Sequence, residues 1–264
     1  MEDLEFLLTY WYGIPTMPNE RLKKIKQAGF KSLSLHWCDE YEEANGKKEK
    51  IMEECNDNSF KIKMFHLPFE KADKLWQNNV DGDQLFEIYQ KCIFDASVNN
   101  IKYVVMHLNY NANSIVDENI GITRLNKLLN YGNKIGVNIA FENLADKDNL
   151  EVIEPLIRQY SNACLCFDVG HNNINPSEVI MRNKDKIGVI HIHDNFGEKD
   201  THQIPFTGNV DWSYVYTIME EVMEHCEFVF EIQNHDNLDE EKFLNDAFIA
   251  YQEIKNNLRK RVRK

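Results

Sequence analysis

The 264-residue chain has no run approaching the ~20 apolar residues that a membrane span requires. Its opening, MEDLEFLLTYWYG, lacks the basic start of a signal peptide. None of the six cysteines (Cys38, Cys55, Cys92, Cys164, Cys166, Cys226) forms a CxxC pair. A chain of this size with no export signal is expected to keep its thiols reduced in a cytoplasm, so all six are read as structural and none as a thiolate metal ligand. Clustered positive charge is missing too. A formal net charge of −13 argues against nucleic acid as a partner, because phosphate binding needs gathered Lys and Arg. Only the C-terminal LRKRVRK is basic, and it reads as the solvated end of a last helix, where cations suit the helix dipole. No low-complexity linker or composition break divides the chain, so residues 1–264 are expected to form one domain.

What is present is an alternation. LEFLLTY near the start, then KSLSLHW (31–37), KIKMFHL (61–67), IKYVVMHL (101–108), GVNIAFEN (136–143), ACLCFDVG (163–170), KIGVIHIHD (186–194) and EFVFEIQ (227–233) read as buried strands. Helical patterns lie between them. In 84–98, Leu85, Ile88, Tyr89, Cys92, Ile93 and Ala96 fall on one helix face. Eight strands, each followed by a helix-length segment, predict a single α/β domain, a (β/α)8 TIM barrel. An open doubly wound sheet would carry a glycine-rich phosphate turn after its first strand, and TYWYGIPTMP has none. The apolar content of 43% is enough for a sizeable core.

The polar residues fall at the strand ends: His36, His66, His107, Glu142, Asp168, His191 with His193, and Glu231. Side chains alternate along a strand. Ile139 and Phe141, Leu165 and Phe167, Ile190 and Ile192, and Phe228 and Phe230 would therefore face the helices, while the polar residues face the barrel axis. Any one strand-end histidine reads as an ordinary hydrogen-bonded residue. Seven strands aiming His, Asp or Glu at the catalytic end of one architecture read as a site. Gathered carboxylates cost several kcal/mol unless neutralised, and no Lys or Arg stands at these ends. A divalent cation is the simplest compensation. Imidazole and carboxylate without thiolate suit Zn, Mn or Co, with Fe and Ni also compatible and Mg less so.

The ordered motifs HLPFE, VVMHL, AFENL, FDVGH, HIHDN, DTH, TGNVDW and FEI resemble the xylose isomerase-like TIM barrel superfamily, whose members include sugar phosphate isomerases and epimerases and the endonuclease-IV-like AP endonucleases. The resemblance runs over nearly the whole chain. It implies a shared metal held by Glu142, Asp168, His191 and Glu231. It also implies two further zinc positions known from the endonuclease branch, one of His66, His107 and a bridging Glu142, the other of His171, Asp200 and His202, for one to three ions in all. Counting four residues from Ile187 selects His191. His193, two residues on and on the same face, is the alternative ligand, or else supports the ligands or contacts the substrate. Departures count against the nuclease branch: the chain is acidic, and Pro205-Phe206-Thr207-Gly208 replaces a glutamate-bearing L-G-E-G segment.

The expected function is metal-dependent isomerisation or epimerisation of a small sugar or sugar phosphate, with Glu142 and Glu231 as general base and acid. The alternative is multi-zinc phosphodiester hydrolysis of the AP endonuclease type. His36 and His193 are candidate substrate contacts. Trp11, Trp37 and Trp76, after strands one, two and three, would either lid the pocket and stack on a sugar or simply pack their loops. A homo-oligomer paired through surface helices is a further expectation.

Overall fold

Phenylalanine, valine, isoleucine and leucine in short alternating runs favour strands buried on both faces. The computed structural model, which describes residues 4–14, 16–39, 46–111, 117–235 and 238–262, joins eight such strands into one closed, all-parallel barrel in sequence order. The strands are β1 (Phe6–Thr9), β2 (Ser32–His36), β3 (Lys61–His66), β4 (Tyr103–Met106), β5 (Asn138–Glu142), β6 (Ala163–Asp168), β7 (Ile187–Ile192) and β8 (Glu227–Phe230). The ring closes where Phe6, Leu7 and Leu8 pair with Phe228, Val229 and Phe230. Around it run α1 (Pro18–Ala28), α2 (Lys48–Asp57), α3 (Val80–Val98), α4 (Glu118–Ile135), α5 (Leu150–Gln159), α6 (Val169–Ile174), α7 (Glu178–Arg182), α8 (Trp212–Val222) and α9 (Glu240–Val262).

The period of two sorts the side chains. Leu7, Met64, Tyr103, Val105, Ala140, Cys166, Val189 and Val229 fill the barrel interior. Their outward neighbours, among them Phe141, Phe167, Ile190 and Phe228, join the helices in a second, larger core. Each such residue contributes roughly 1.5–3 kcal/mol on full burial.

Local signals place the helices. Pro18 opens α1, and Gly29 ends it at φ 112°, a left-handed conformation that glycine adopts without strain. Asn79 and Asp117 cap α3 and α4 by accepting the Gly82 and Ile120 N–H groups. On α3 the predicted face is buried except for Ile88, which is 46% exposed because it lies at the edge of the stripe. At the chain's end, Arg261 reaches back from α9 to Glu220 on α8. No helix among the described residues is long and apolar enough to cross a membrane.

The strands are slightly shorter than the sequence suggests. His107, His193 and Glu231 each follow the last strand residue directly. They still stand at the same mouth as Glu142 and Asp168.

Candidate active site

Glu142, the last residue of β5 and 1% exposed, is the hub of the mouth. Its Oε2 lies 3.2 Å from His66 Nε2 and 2.9 Å from His107 Nε2. Its Oε1 lies 2.9 Å from His191 Nδ1. The same His191 nitrogen is 2.5 Å from Glu231 Oε2 and 3.6 Å from Asp168 Oδ2. Carboxylates from three strand ends thus converge on the imidazole at a fourth.

Asp168 does three things. Its N–H donates to Asn143 Oδ1 at 2.8 Å, and its carbonyl accepts from Asn143 Nδ2 at 3.0 Å, which locks the end of β6 to the end of β5. Its Oδ1 caps α6 by accepting the His171 N–H at 2.6 Å. Its carboxylate faces His191 and, at 2.9 Å, His193 Nε2. The cap explains the D-x-x-H spacing: the residue whose N–H the aspartate caps is the histidine that joins the site. His171 Nδ1 lies 2.9 Å from the Asn143 carbonyl and its Nε2 2.9 Å from Asp200 Oδ2.

The loop after β7 is folded back by Asp194. Its carboxylate accepts from the Phe206 and Val210 N–H groups and from Trp212 Nε1 at 2.9–3.1 Å. Gly208 packs so closely that an added Cβ would lie 2.3 Å from the Asn195 carbonyl oxygen. His202, in the left-handed region at φ 43°, is pinned by Nδ1 2.7 Å from the Glu231 carbonyl, and its Nε2 is 2.9 Å from Asp200 Oδ2. The D-N…D-W spacing is therefore what holds Asp200 and His202 at the mouth.

Potential ligand atoms fall within 4.8 Å of one another in overlapping groups: Glu142, Asp168, His191 and Glu231; His66, His107 and Glu142; His171, His193, Asp200 and His202; and Glu142, Cys166 and His191. His191, rather than His193, shares the first group with the three carboxylates. His193 falls in the third, its ring stacked 4.1 Å from that of His202.

These groups share charge. Burial pushes the Glu142 carboxyl up, but the His191 and His107 imidazoles outweigh it and hold Glu142 well below the usual carboxylate range. Glu231 and Asp168 are held down likewise, the first by His191, the second by His171 and His193. Burial opposes charging of His202, yet Asp200 lifts it to about 9. On the opposite wall, burial and the adjacent His66 push His36 down to about 3. Among the described residues, no Lys or Arg lines the mouth, a cavity of about 180 Å³. Buried carboxylates gathered without a protein cation, and faced by imidazole nitrogens, make a donor set suited to a borderline divalent ion.

Trp11 lines this cavity, as do Thr9, Phe69 and Gln233, which are not among the candidate residues read from the sequence. His36 lines it too, its Nε2 3.9 Å from Glu231 Oε1. Trp37 and Trp76 do not. Trp37 is buried, stacked 4.1 Å from Phe65, and its Nε1 donates to Asp95 at 2.9 Å. Trp76 is fully buried, donating from Nε1 to the Leu108 carbonyl. Both rings pack beneath their loops because flat apolar surface there is better covered than exposed. Asn143 and Asp194 are not among the candidate residues read from the sequence, although each stands in a quoted motif, AFENL and HIHDN, directly after a strand-end ligand candidate.

An uncharacterized protein of Sinorhizobium fredii is 40% identical over 87 residues, covering 30% of this chain and 28% of that protein, so the match spans under a third of the relative's length. Among solved structures, an L-ribulose 3-epimerase superposes with a TM-score of 0.75 at 16% identity, covering 98% of this chain and 96% of that one. A D-tagatose 3-epimerase-like protein does so with 0.76 at 18%, covering 98% and 99%. Both likenesses are of fold. The sequence profile of the Xylose isomerase-like TIM barrel matches residues 22–255, and with a closed eight-stranded parallel barrel beneath it, the chain belongs to that family.

Proposed function

We propose that the protein is a divalent-metal-dependent epimerase or isomerase of a small, unphosphorylated ketose. The observation that carries this reading is the convergence of Glu142, Asp168, His191 and Glu231 beside a cavity that Glu142 and Glu231 line and that no Lys or Arg lines among the described residues. Similarity of fold to a ribulose 3-epimerase and a tagatose 3-epimerase-like protein supports the sugar class. A phosphorylated substrate would call for a cation or a helix N-terminus aimed at its phosphate.

Glu142, Asp168, His191 and Glu231 would hold the metal. When bound, it supplies positive charge against the negative charge developing on the substrate's carbonyl oxygen. The carboxylates of Glu142 and Glu231 come from strands five and eight and face the substrate from two sides. One takes the proton from the carbon beside the carbonyl, and the other returns it. The imidazole neighbours hold the accepting carboxylate in its ionised form, ready to take a proton at neutral pH, while the returning carboxyl gives up the proton it carries and is left ionised in turn. Trp11 covers the sugar's apolar face, and the Arg21 guanidinium, 4.9 Å from its ring, steadies it.

Multi-zinc phosphodiester hydrolysis is the second reading, favoured by the two additional donor groups around His66 and around His171. The acidic chain and the absence of cations at the mouth weigh against it. One experiment separates the two. The protein is loaded in turn with Mn, Co and Zn, then incubated with a panel of free ketoses and, separately, with abasic-site DNA. Ketose turnover that falls at least about 10³-fold in Glu142→Gln, with an unchanged circular dichroism spectrum, is the expected result. DNA cleavage without ketose turnover would overturn it.

A further inference from the structure

The ligand His191 engages its Nδ1 with the carboxylates of Glu142, Glu231 and Asp168. Its other nitrogen, Nε2, has no hydrogen-bond partner, and the side chain is 0% exposed. A buried ring nitrogen without a partner is costly. A histidine that ligates a metal through one nitrogen almost always donates the other N–H to an acceptor, which fixes the ring's tautomer and orientation.

The layer directly beneath the mouth is apolar: Leu7, Met64, Val105, Ala140, Val189 and Val229. It contains two side chains that carry an O–H or S–H group. Tyr103 is committed, its hydroxyl donating to the His225 carbonyl at 3.1 Å. The other is Cys166, two residues before Asp168 on β6, paired in register with Glu142 on β5 and Val189 on β7. Cys166 is fully buried, and its Sγ lies within 4.8 Å of ligand atoms of both Glu142 and His191.

We propose that Cys166 is the positioning residue of His191, its Sγ accepting the Nε2–H bond when Nδ1 faces a bound cation. The proposal rests on the metal reading above. A thiol fits this role where other partners would not. A carboxylate among Ala140, Val189 and Val229 would pay a large desolvation cost. A thiol sulfur accepts weakly and its S–H donates weakly, so it serves the ring in either tautomer. The role goes beyond filling space in the barrel.

The test uses the full chain loaded with Zn²⁺, with metal affinity by calorimetry and the ¹⁵N shift of His191 Nε2 as readouts. The wild type is expected to show a protonated Nε2. Cys166→Ala is expected to weaken Zn²⁺ binding about 10-fold or more, and Cys166→Ser, which keeps a donor and acceptor, to recover most of that loss. Should the alanine variant fail to fold, the wild-type ¹⁵N shift and the serine variant decide. An unprotonated Nε2, or an alanine variant that binds as tightly as the wild type, overturns the proposal and leaves the metal site standing. A wild type that takes up no divalent ion sinks the metal reading itself, and the proposal with it.

Discussion

At Gly170 the chain has room for a hydrogen and little else: a Cβ there would lie 2.0 Å from His193 Cε1. The glycine between Asp168 and His171 is thus set by a ring on the neighbouring strand end, not by backbone conformation. Gly170→Ala is expected to push the His193 ring off Asp168 and Asp200 and to destabilise the fold by about 1–3 kcal/mol. Urea unfolding of the variant checks it; a midpoint within error of wild type would show that the ring moves freely. The same residue-scale logic separates the tryptophans. Trp11 meets the cavity, while Trp76 lies so close to α4 that a Cβ on Gly121 would come 2.0 Å from its ring.

At the scale of elements, short connections hold long ones. The segment after β1 is fastened to the start of α9 by Glu240, which accepts from the Tyr12 hydroxyl at 2.7 Å, from Thr16 at 3.2 Å and from Lys24. Burial raises the Glu240 carboxyl, but the hydrogen bonds from Lys24 and Tyr12 outweigh it and hold it below its ordinary value. A carboxyl depressed in the folded state stabilises above its unfolded pKa of about 4.3, and that stability is lost as pH falls through the folded value. Glu240→Gln is therefore expected to cost about 1–2 kcal/mol at pH 7 and much less near pH 3. Denaturant titrations of both proteins at the two pH values measure it, and an equal loss at both would refute the assignment. Because this clasp anchors the loop bearing Trp11, it also ties a helix on the rim to the mouth.

For the molecule as a whole, the charge is lopsided in kind as well as in sum. A net −13 sets the carboxylates of the mouth in an already acidic chain, and self-repulsion of that size disfavours the compact state. A divalent ion bound only by the folded form stabilises it by about 2.7 kcal/mol at one hundred times its Kd. Chelation is accordingly expected to lower the melting temperature by roughly 5 °C or more, and added Mn or Zn to restore it. Differential scanning calorimetry before and after dialysis against chelator reads this directly. An unchanged transition would remove the cation from the account of stability.

Local information in the chain determined the alternation of strand and helix, the burial of the alternate strand residues, and the gathering of His, Asp and Glu at one end of the barrel. Each of these depends on the two-residue repeat within a strand and on turn chemistry only a few residues long. Only the tertiary structure decided which candidate ligands stand together. The repeat gives a side chain's face but not its height, and height is set by the stagger of a closed barrel: Glu142 pairs in register with Cys166, while Asp168 pairs with His191. That stagger puts His191 among the carboxylates and His193 beside His202. It also brings Cys166, read as packing, close to the His191 ring, and it leaves Trp37 and Trp76 under their loops, because where a loop residue points depends on what it packs against.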